Sequence, residues 1–170
     1  MLAPEGRAVR PTGERVKEGF FSAIQFELQC SRVLDLFAGS GQLGIEALSR
    51  GAASCTFVDS VQAHQKLVIE NLKGTGLFEQ ARVVCMDFEA FLKGTKETYD
   101  IALLDPPYNQ HMLERALPLL APKMSEKGVM VCETERGEPL PETVGDFFLK
   151  KQYRYGKTLV SIYRKEEMEE

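Results

Sequence analysis

Two short stretches hold residues whose types and spacing can do chemistry. In FAGSGQLG, residues 37–44, Gly39, Gly41 and Gly44 form a G-x-G-x-x-G pattern directly after an apolar run containing Asp35. Glycines so placed permit a tight turn and close approach of a ligand to the backbone, and a following helix offers its terminal N–H groups. The second stretch is Asp105-Pro106-Pro107-Tyr108, after YDIALL. Proline confines the residue before it to extended backbone and has no N–H, so Asp105 and Pro106 present fixed acceptor oxygens beside an aromatic ring. Such acceptors suit an exocyclic amino group on a nucleobase. Asp105 is expected as the main acceptor and the Pro106 carbonyl as the second, with Pro107 in the same rigid loop and Tyr108 stacking on a base swung out of its helix.

The glycine pattern alone does not choose a ligand, because Asp59, twenty residues after Gly39, suits a ribose in a dinucleotide or in S-adenosylmethionine. Asp35 makes the choice. A pyrophosphate beside it would be repelled, whereas S-adenosylmethionine has no phosphate and carries an ammonium and a sulfonium that a carboxylate attracts. The expected cofactor is therefore S-adenosylmethionine, held by Asp35, Phe37, Gly39, Ser40 and Gly41, with Asp59 and Ser60 at the ribose. Asp87, or a backbone group beside it, and Phe88 would meet the adenine. The reaction is then methyl transfer to nitrogen, whose developing positive charge the Asp105 loop stabilises. The methylated amine is acidic, so no strong base is needed; His111, three residues beyond the motif, reads as a loop residue.

These groups require strands that end where the carboxylates stand. Val16, Phe20 and Ile24 mark one face of a first helix with Thr12 as its N-cap. RVLDLF reads as a strand, followed by a helix through Leu43, Ala47 and Leu48 that stops at Gly51. CTFVD is the next strand, then a helix through Ala63, Leu67 and Leu72, then RVVCMD and a short helical piece around Phe91 and Leu92. YDIALLD, a helix from Met112 to Leu120 and the strand GVMVCET complete the alternation. The last segment, residues 146–165, reads as two strands turning near Gly156. The expected fold is α/β: a mostly parallel seven-stranded sheet ending in an antiparallel hairpin, with helices on both faces. Asp35, Asp59, Asp87 and Asp105 close the first four strands, so they are expected to converge on one crevice.

With 170 residues, 44% hydrophobic and 27% charged, a single domain over 1–170 is expected, with an arm at 1–12 and a frayed acidic tail at 166–170. No run of about 18 apolar residues and no signal peptide is present, which implies the cytoplasm. Cys30, Cys55, Cys85 and Cys132 show no C-x-x-C pair and no adjacent histidine, so no metal site is expected. The last three lie in apolar runs and read as buried hydrophobes. The net charge of −4 becomes 21 basic against 21 acidic residues without Glu166, Glu167, Glu169 and Glu170. Arg7, Arg10, Arg15 and Lys17, and separately Lys150, Lys151, Arg154 and Lys157, form basic clusters suited to phosphates.

Taken in order, RPTGERVKEGFFSAI, VLDLFAGSGQLGIEALSRGA, NL at 71–72, LLDPPY and YGKT make the chain, from residue 10 to about 164, resemble the bacterial RsmD family. That resemblance implies a Rossmann-like class I methyltransferase that uses S-adenosylmethionine on N2 of a guanine in small-subunit (16S) ribosomal RNA. It implies a cofactor loop at Asp35–Gly41, a catalytic loop at Asp105–Tyr108, and Arg10-Pro11-Thr12 over the cofactor side of the crevice. Arg10, Thr12, Arg15, Lys17 and Lys157 are the expected RNA contacts. Family members carry a longer basic segment before Arg-Pro-Thr than the nine residues here, so RNA contact at that end is expected to be weaker, or the chain trimmed. A monomer is expected, with an assembled or assembling small subunit preferred as substrate, since neighbouring components can supply selectivity that so small a protein lacks. One alternative is an amino-group methyltransferase of adenine or cytosine in DNA or another RNA, disfavoured by the lack of a separate target-recognition domain. An NAD-dependent oxidoreductase leaves Asp35 and the Asp-Pro-Pro-Tyr loop without a role. A non-catalytic RNA-binding relative is disfavoured by Asp105 and Tyr108.

Overall fold

Apolar spacing sets the first element. Val16, Phe20 and Ile24 are buried with Phe21 on one side of helix α1 (Glu14–Ile24), whose N-cap is Gly13 in extended backbone with no side-chain bond. Thr12, expected as the cap, lies outside the residues described by the computed structural model, which are 13–107 and 111–165. Strand and helix then alternate through β1 (Arg32–Asp35), α2 (Gln42–Ser49), β2 (Ser54–Asp59), α3 (Gln62–Thr75), β3 (Ala81–Cys85) and α4 (Phe88–Gly94). The series continues with β4 (Tyr99–Leu104), α5 (Met112–Leu120), β5 (Met124–Glu135), β6 (Thr143–Val144), β7 (Phe147–Tyr155) and β8 (Thr158–Lys165).

The strands form one sheet in the order β3-β2-β1-β4-β5-β8-β7-β6. Its first five members are parallel, and β8, β7 and β6 continue it antiparallel. Among the described residues, eight strands replace the expected seven; the addition is β6, which pairs only Thr143 and Val144 with Phe148 and Phe147. Two residues are too few to show a period-two pattern. One core lies under α1, α2 and α3 and contains Phe20, Phe21, Phe57 and Val131. The other lies under α4 and α5 and contains Phe91, Leu117, Met130 and Tyr163. Helices therefore cover both faces, as a parallel sheet demands.

Several boundaries differ from the sequence pattern. β3 stops at Cys85, and Asp87 lies beyond it as the N-cap of α4. On α3 the inward side is His64, Val68, Asn71 and Leu72, with Ala63 exposed and Leu67 half-buried. Cys55 and Cys132 are buried as expected, but Cys85 is exposed with Cys30, because β3 is the outermost parallel strand.

The register brings three chain segments to one edge of the sheet. Asp35 and Asp59 end β1 and β2, and Asp105 directly follows β4. Glu135, at the carboxyl end of β5, pairs with Thr158, which also faces Tyr155, so the β7–β8 turn at Gly156 stands on that same edge.

Gly44 fixes how closely α2 approaches the sheet. A Cβ there would lie 2.3 Å from the Phe57 ring and 2.7 Å from Cys55 Sγ, both buried. Gly44→Ala gains about 1 kcal/mol in helix propensity but meets an overpacking cost of about 1–3 kcal/mol; the closeness of the contact puts it at the upper end. Chemical denaturation should show a net loss of about 1–2 kcal/mol, partly recovered by adding Phe57→Leu. Unchanged stability would mean that the packing here is loose.

Candidate functional site

Strand order reverses between β1 and β4, which lie side by side while their following helices cover opposite faces. In open α/β sheets this switch point is where ligands enter, outside the carboxyl ends of the strands. The glycine loop opens from β1. Gly39 (φ 57°) and Gly41 (φ 84°) both lie in the left-handed region, where any other residue would be strained. Ala38 N–H donates to the Val58 carbonyl at 3.0 Å, and Gly41 N–H to the Ala38 carbonyl at 2.7 Å. Asn71, from α3, donates to the Ser40 carbonyl at 2.9 Å. Ser40 and both glycines are buried.

Asp59 ties this loop to its neighbours. Its Oδ2 accepts the Gly39 N–H at 2.9 Å, and its Oδ1 accepts the Val61 N–H at 2.9 Å. His64 Nδ1 lies 3.0 Å from the same Oδ1. An ionised carboxylate only accepts, so the hydrogen in that contact belongs to Nδ1. Among the described residues, three donors occupy three of the roughly four acceptor positions of a carboxylate. Ser60 is exposed beside it.

Asp35 stands in a different state. It is 1% exposed; Oδ2 accepts the Gly44 N–H at 3.0 Å, while Oδ1 is buried with no hydrogen-bond partner among the described residues. Burial pushes its carboxyl up to about 8, the Gly44 N–H opposes that, and the nearby Asp59 charge adds to it. A buried carboxyl with an unpartnered oxygen beside a glycine loop is completed by a proton-donating ligand, or by a cation that draws off its proton.

The other expected residues are differently employed. Asp87 Oδ2 caps α4 by accepting from Glu89 N–H and Ala90 N–H at 3.0 and 3.3 Å. Phe88 is buried, with the half-buried Phe37 ring 5.3 Å away and the Arg115 guanidinium over it at 5.1 Å; Arg115 also pairs with Glu89. Asp105 is half-buried, Pro106 buried and Pro107 half-buried. Tyr108 lies outside the described residues, as do Arg10 and Thr12. Arg15 and Lys157 are exposed. Lys17 is largely covered and bound to Glu46 at 3.1 Å, so its charge is already matched. His111 occupies the N-cap position of α5 in left-handed backbone and lies 3.8 Å from Glu114.

His64 has no role in the reading of the sequence, and Asn71 enters it only within the NL pair at 71–72. The spacing His64, Val68, Leu72 is a helix face, and the polar member at its start marks where α3 meets the loop.

A parallel sheet with a glycine loop after its first strand, continued by an antiparallel hairpin, is the Rossmann-like methyltransferase fold. A solved methyltransferase of Escherichia coli, provisionally so named as yhhF, superposes with a TM-score of 0.86 at 32% identity, covering 98% of this chain and 91% of its own. The chain belongs to the RsmD family: the family model described as conserved hypothetical protein 95 matches residues 1–164. YlbH of Bacillus subtilis, provisionally named an rRNA methyltransferase, is 42% identical over 97% of this chain and 92% of its own. Ribosomal RNA small subunit methyltransferase D of Escherichia coli is 32% identical over 96% of this chain and 83% of its own.

Asp35 gives the fold a pH signature. Its folded pKa, about 8, exceeds the unfolded value of 3.8. The stability it permits is fully present below the unfolded value and is lost as pH rises through the folded one. Asp35→Asn lacks this slope. Thermal melts should show the variant gaining on the wild type as pH goes from about 5 to 8, by an amount on the order of a few kcal/mol. Parallel curves would show that Asp35 is not held as a buried carboxyl.

Proposed function

We propose that the protein is an S-adenosylmethionine-dependent methyltransferase that modifies the exocyclic N2 of a guanine in small-subunit (16S) ribosomal RNA, acting as a cytoplasmic monomer on an assembled or assembling subunit. The observation that carries this is the pairing at the switch point: a buried carboxylate with an orphaned oxygen ends β1, and a rigid Asp-Pro-Pro loop follows the adjacent β4. The names of its relatives point the same way.

Bound here, S-adenosylmethionine would supply a methyl group on a positively charged sulfur. Asp35 offers the anion for its charged amino-acid end, Gly39, Ser40 and Gly41 the close backbone, and Asp59 with Ser60 the ribose contacts. Because the Asp87 carboxylate already caps α4, the backbone beside it is the better acceptor for the adenine amine. Phe37 is the more exposed of the aromatic pair and Phe88 backs it. On the substrate side, the Asp105 carboxylate and the Pro106 carbonyl accept the two N–H bonds of the guanine amine. They would stabilise the positive charge on nitrogen as its bond to the methyl carbon replaces the methyl–sulfur bond, which leaves the donor as a neutral thioether, and the surplus proton would pass from nitrogen to Asp105 and solvent. Tyr108 is assigned the stacking role on the base. Arg15 and Lys157 remain the phosphate contacts, with Arg10 and Thr12 assigned alongside them; Lys17 is the weakest of the set because Glu46 holds it.

The test supplies labelled methyl donor and small subunits lacking their methylations, then identifies the labelled nucleoside by mass spectrometry. The expected product is N2-methylguanine, formed faster on particles than on protein-free RNA, with Asp105→Ala slowing transfer about 100-fold or more. Label on adenine or cytosine would change the substrate assignment, and NAD binding without transfer would replace the methyltransferase reading.

Asp35 adds a second expectation. A cation binds its deprotonated form, so affinity for S-adenosylmethionine should climb with pH toward about 8, by at most about tenfold per unit, then level off. Calorimetry in buffers of different ionisation enthalpy should detect the released proton. Asp35→Asn should bind weakly without this trend; a variant retaining the trend would assign the proton elsewhere.

A further inference from the structure

Between Phe147 and Lys165 the β7–β8 hairpin carries six basic side chains and no acid. Three are engaged: Arg164 binds Glu27 and the Ala23 carbonyl, Lys150 lies over the Phe148 ring and Lys165 over the Phe147 ring. Lys151, Arg154 and Lys157 are exposed and form no ion pair among the described residues. Beyond Phe148 and the Leu149 N–H bond to the Glu142 carbonyl, the outer side of β7 has no strand beside it among the described residues. Lys151 and Tyr153 pair with Ile162 and Val160, whose side chains face the core under α1, so they stand on that face. Arg154 pairs with Leu159 and stands on the other. The charges therefore straddle the edge, and Tyr153, 36% exposed, lies between them.

We propose that this edge is a docking rail for a single-stranded segment of the RNA substrate flanking the target nucleotide, a reading that rests on the proposed function. Lysines on an edge strand also deter strand-to-strand aggregation, but a guard has no use for an exposed aromatic between its charges. A single strand does, since bases stack on such rings while cations follow the phosphates. At about 3.3 Å per residue the stretch from Lys150 to Tyr155 runs about 17 Å. Its upper end, at the hairpin turn, shares the sheet edge with Asp105. The β7 edge is three strands from β4, about 14 Å at ordinary strand spacing, so a strand held there reaches the crevice.

The experiment measures binding of a short fluorescent single-stranded RNA by anisotropy over a range of salt, without methyl donor. Lys151→Gln/Arg154→Gln is expected to weaken binding about tenfold or more and to make the slope of log affinity on log salt shallower by about 1.4, for two lost phosphate contacts. Tyr153→Ala should weaken it by about fivefold or more with the slope unchanged. Lys96→Gln/Lys127→Gln removes two exposed charges at the opposite sheet edge and should stay within about twofold. Melting temperatures check that every variant is folded. Hairpin variants that bind like the wild type, controls that weaken equally, or a wild type that does not bind RNA would each overturn the rail; aggregation with intact RNA binding would assign these lysines to guarding the edge. Methyl transfer is scored separately, so a rail that holds while no methyl group moves would sink the functional reading alone.

Discussion

The crevice depends on one carboxylate that joins three separate pieces of chain. Asp59, at the end of β2, takes the N–H of Gly39 from the loop after β1, the N–H of Val61 at the entry to α3, and the Nδ1 hydrogen of His64 one turn further on. Two of these donors, on Gly39 and His64, are buried, and leaving a buried donor unmet costs about 1–3 kcal/mol. Asn71 reinforces the same arrangement from two turns along α3 by holding the Ser40 carbonyl. A loop of glycines is otherwise the least ordered part of a chain. Here its shape is imposed from outside, by α3 and the end of β2, so that it can remain open to a ligand without being flexible.

Asp35 shows the opposite balance. Its Oδ1 is buried without a hydrogen-bond partner among the described residues, and its carboxyl is raised to about 8 by that burial. A buried carboxyl with an unpartnered oxygen costs stability. Violations of local packing rules of this kind concentrate where function requires them. The neighbouring Asp59 charge raises the carboxyl further, so Asp35 holds its proton until a cation at the β1–β2 end of the sheet draws it off.

Much of this was legible in the residues. Alternating apolar runs gave the parallel order of elements, and the glycines at 39, 41, 51 and 156 fall where the backbone turns left-handed. The hairpin from Phe147 to Lys165 lies where period-two alternation and Gly156 place it. What escaped depends on partners far along the chain. Lys17 reads as a substrate contact until Glu46 is seen beside it. Asp87 reads as a fourth crevice carboxylate, yet β3 stops two residues short and the side chain serves α4 instead. On α3 the apolar pattern of Ala63 and Leu67 competes with that of Val68 and Leu72, and the polar pair His64 and Asn71 decides the outcome by bonding to the glycine loop region. Cys85 sits in as apolar a run as Cys55, and only the strand order exposes it.

The placement of charge explains how a chain of net charge −4 can handle a polyanion. Asp59, and Asp35 once a bound cation has drawn off its proton, make the crevice repulsive to phosphate, while a base edge is neutral and donates hydrogen. On the proposed reading, a nucleotide therefore enters base first, and its backbone is kept outside by the same carboxylates that favour a cationic cofactor. Phosphates then need their own attraction beyond the reach of that repulsion. Screening makes this practicable, because at physiological salt the field of a solvent-exposed charge fades over about 8 Å, less than the about 14 Å of sheet between β4 and β7. One edge of the sheet can thus reject phosphate at β1 and β2 while its far side, at Arg154 and Lys157, attracts it. On the proposed reading, segregating the two signs across the β5 and β8 strands lets one sheet favour a base at the crevice and a phosphate at the hairpin.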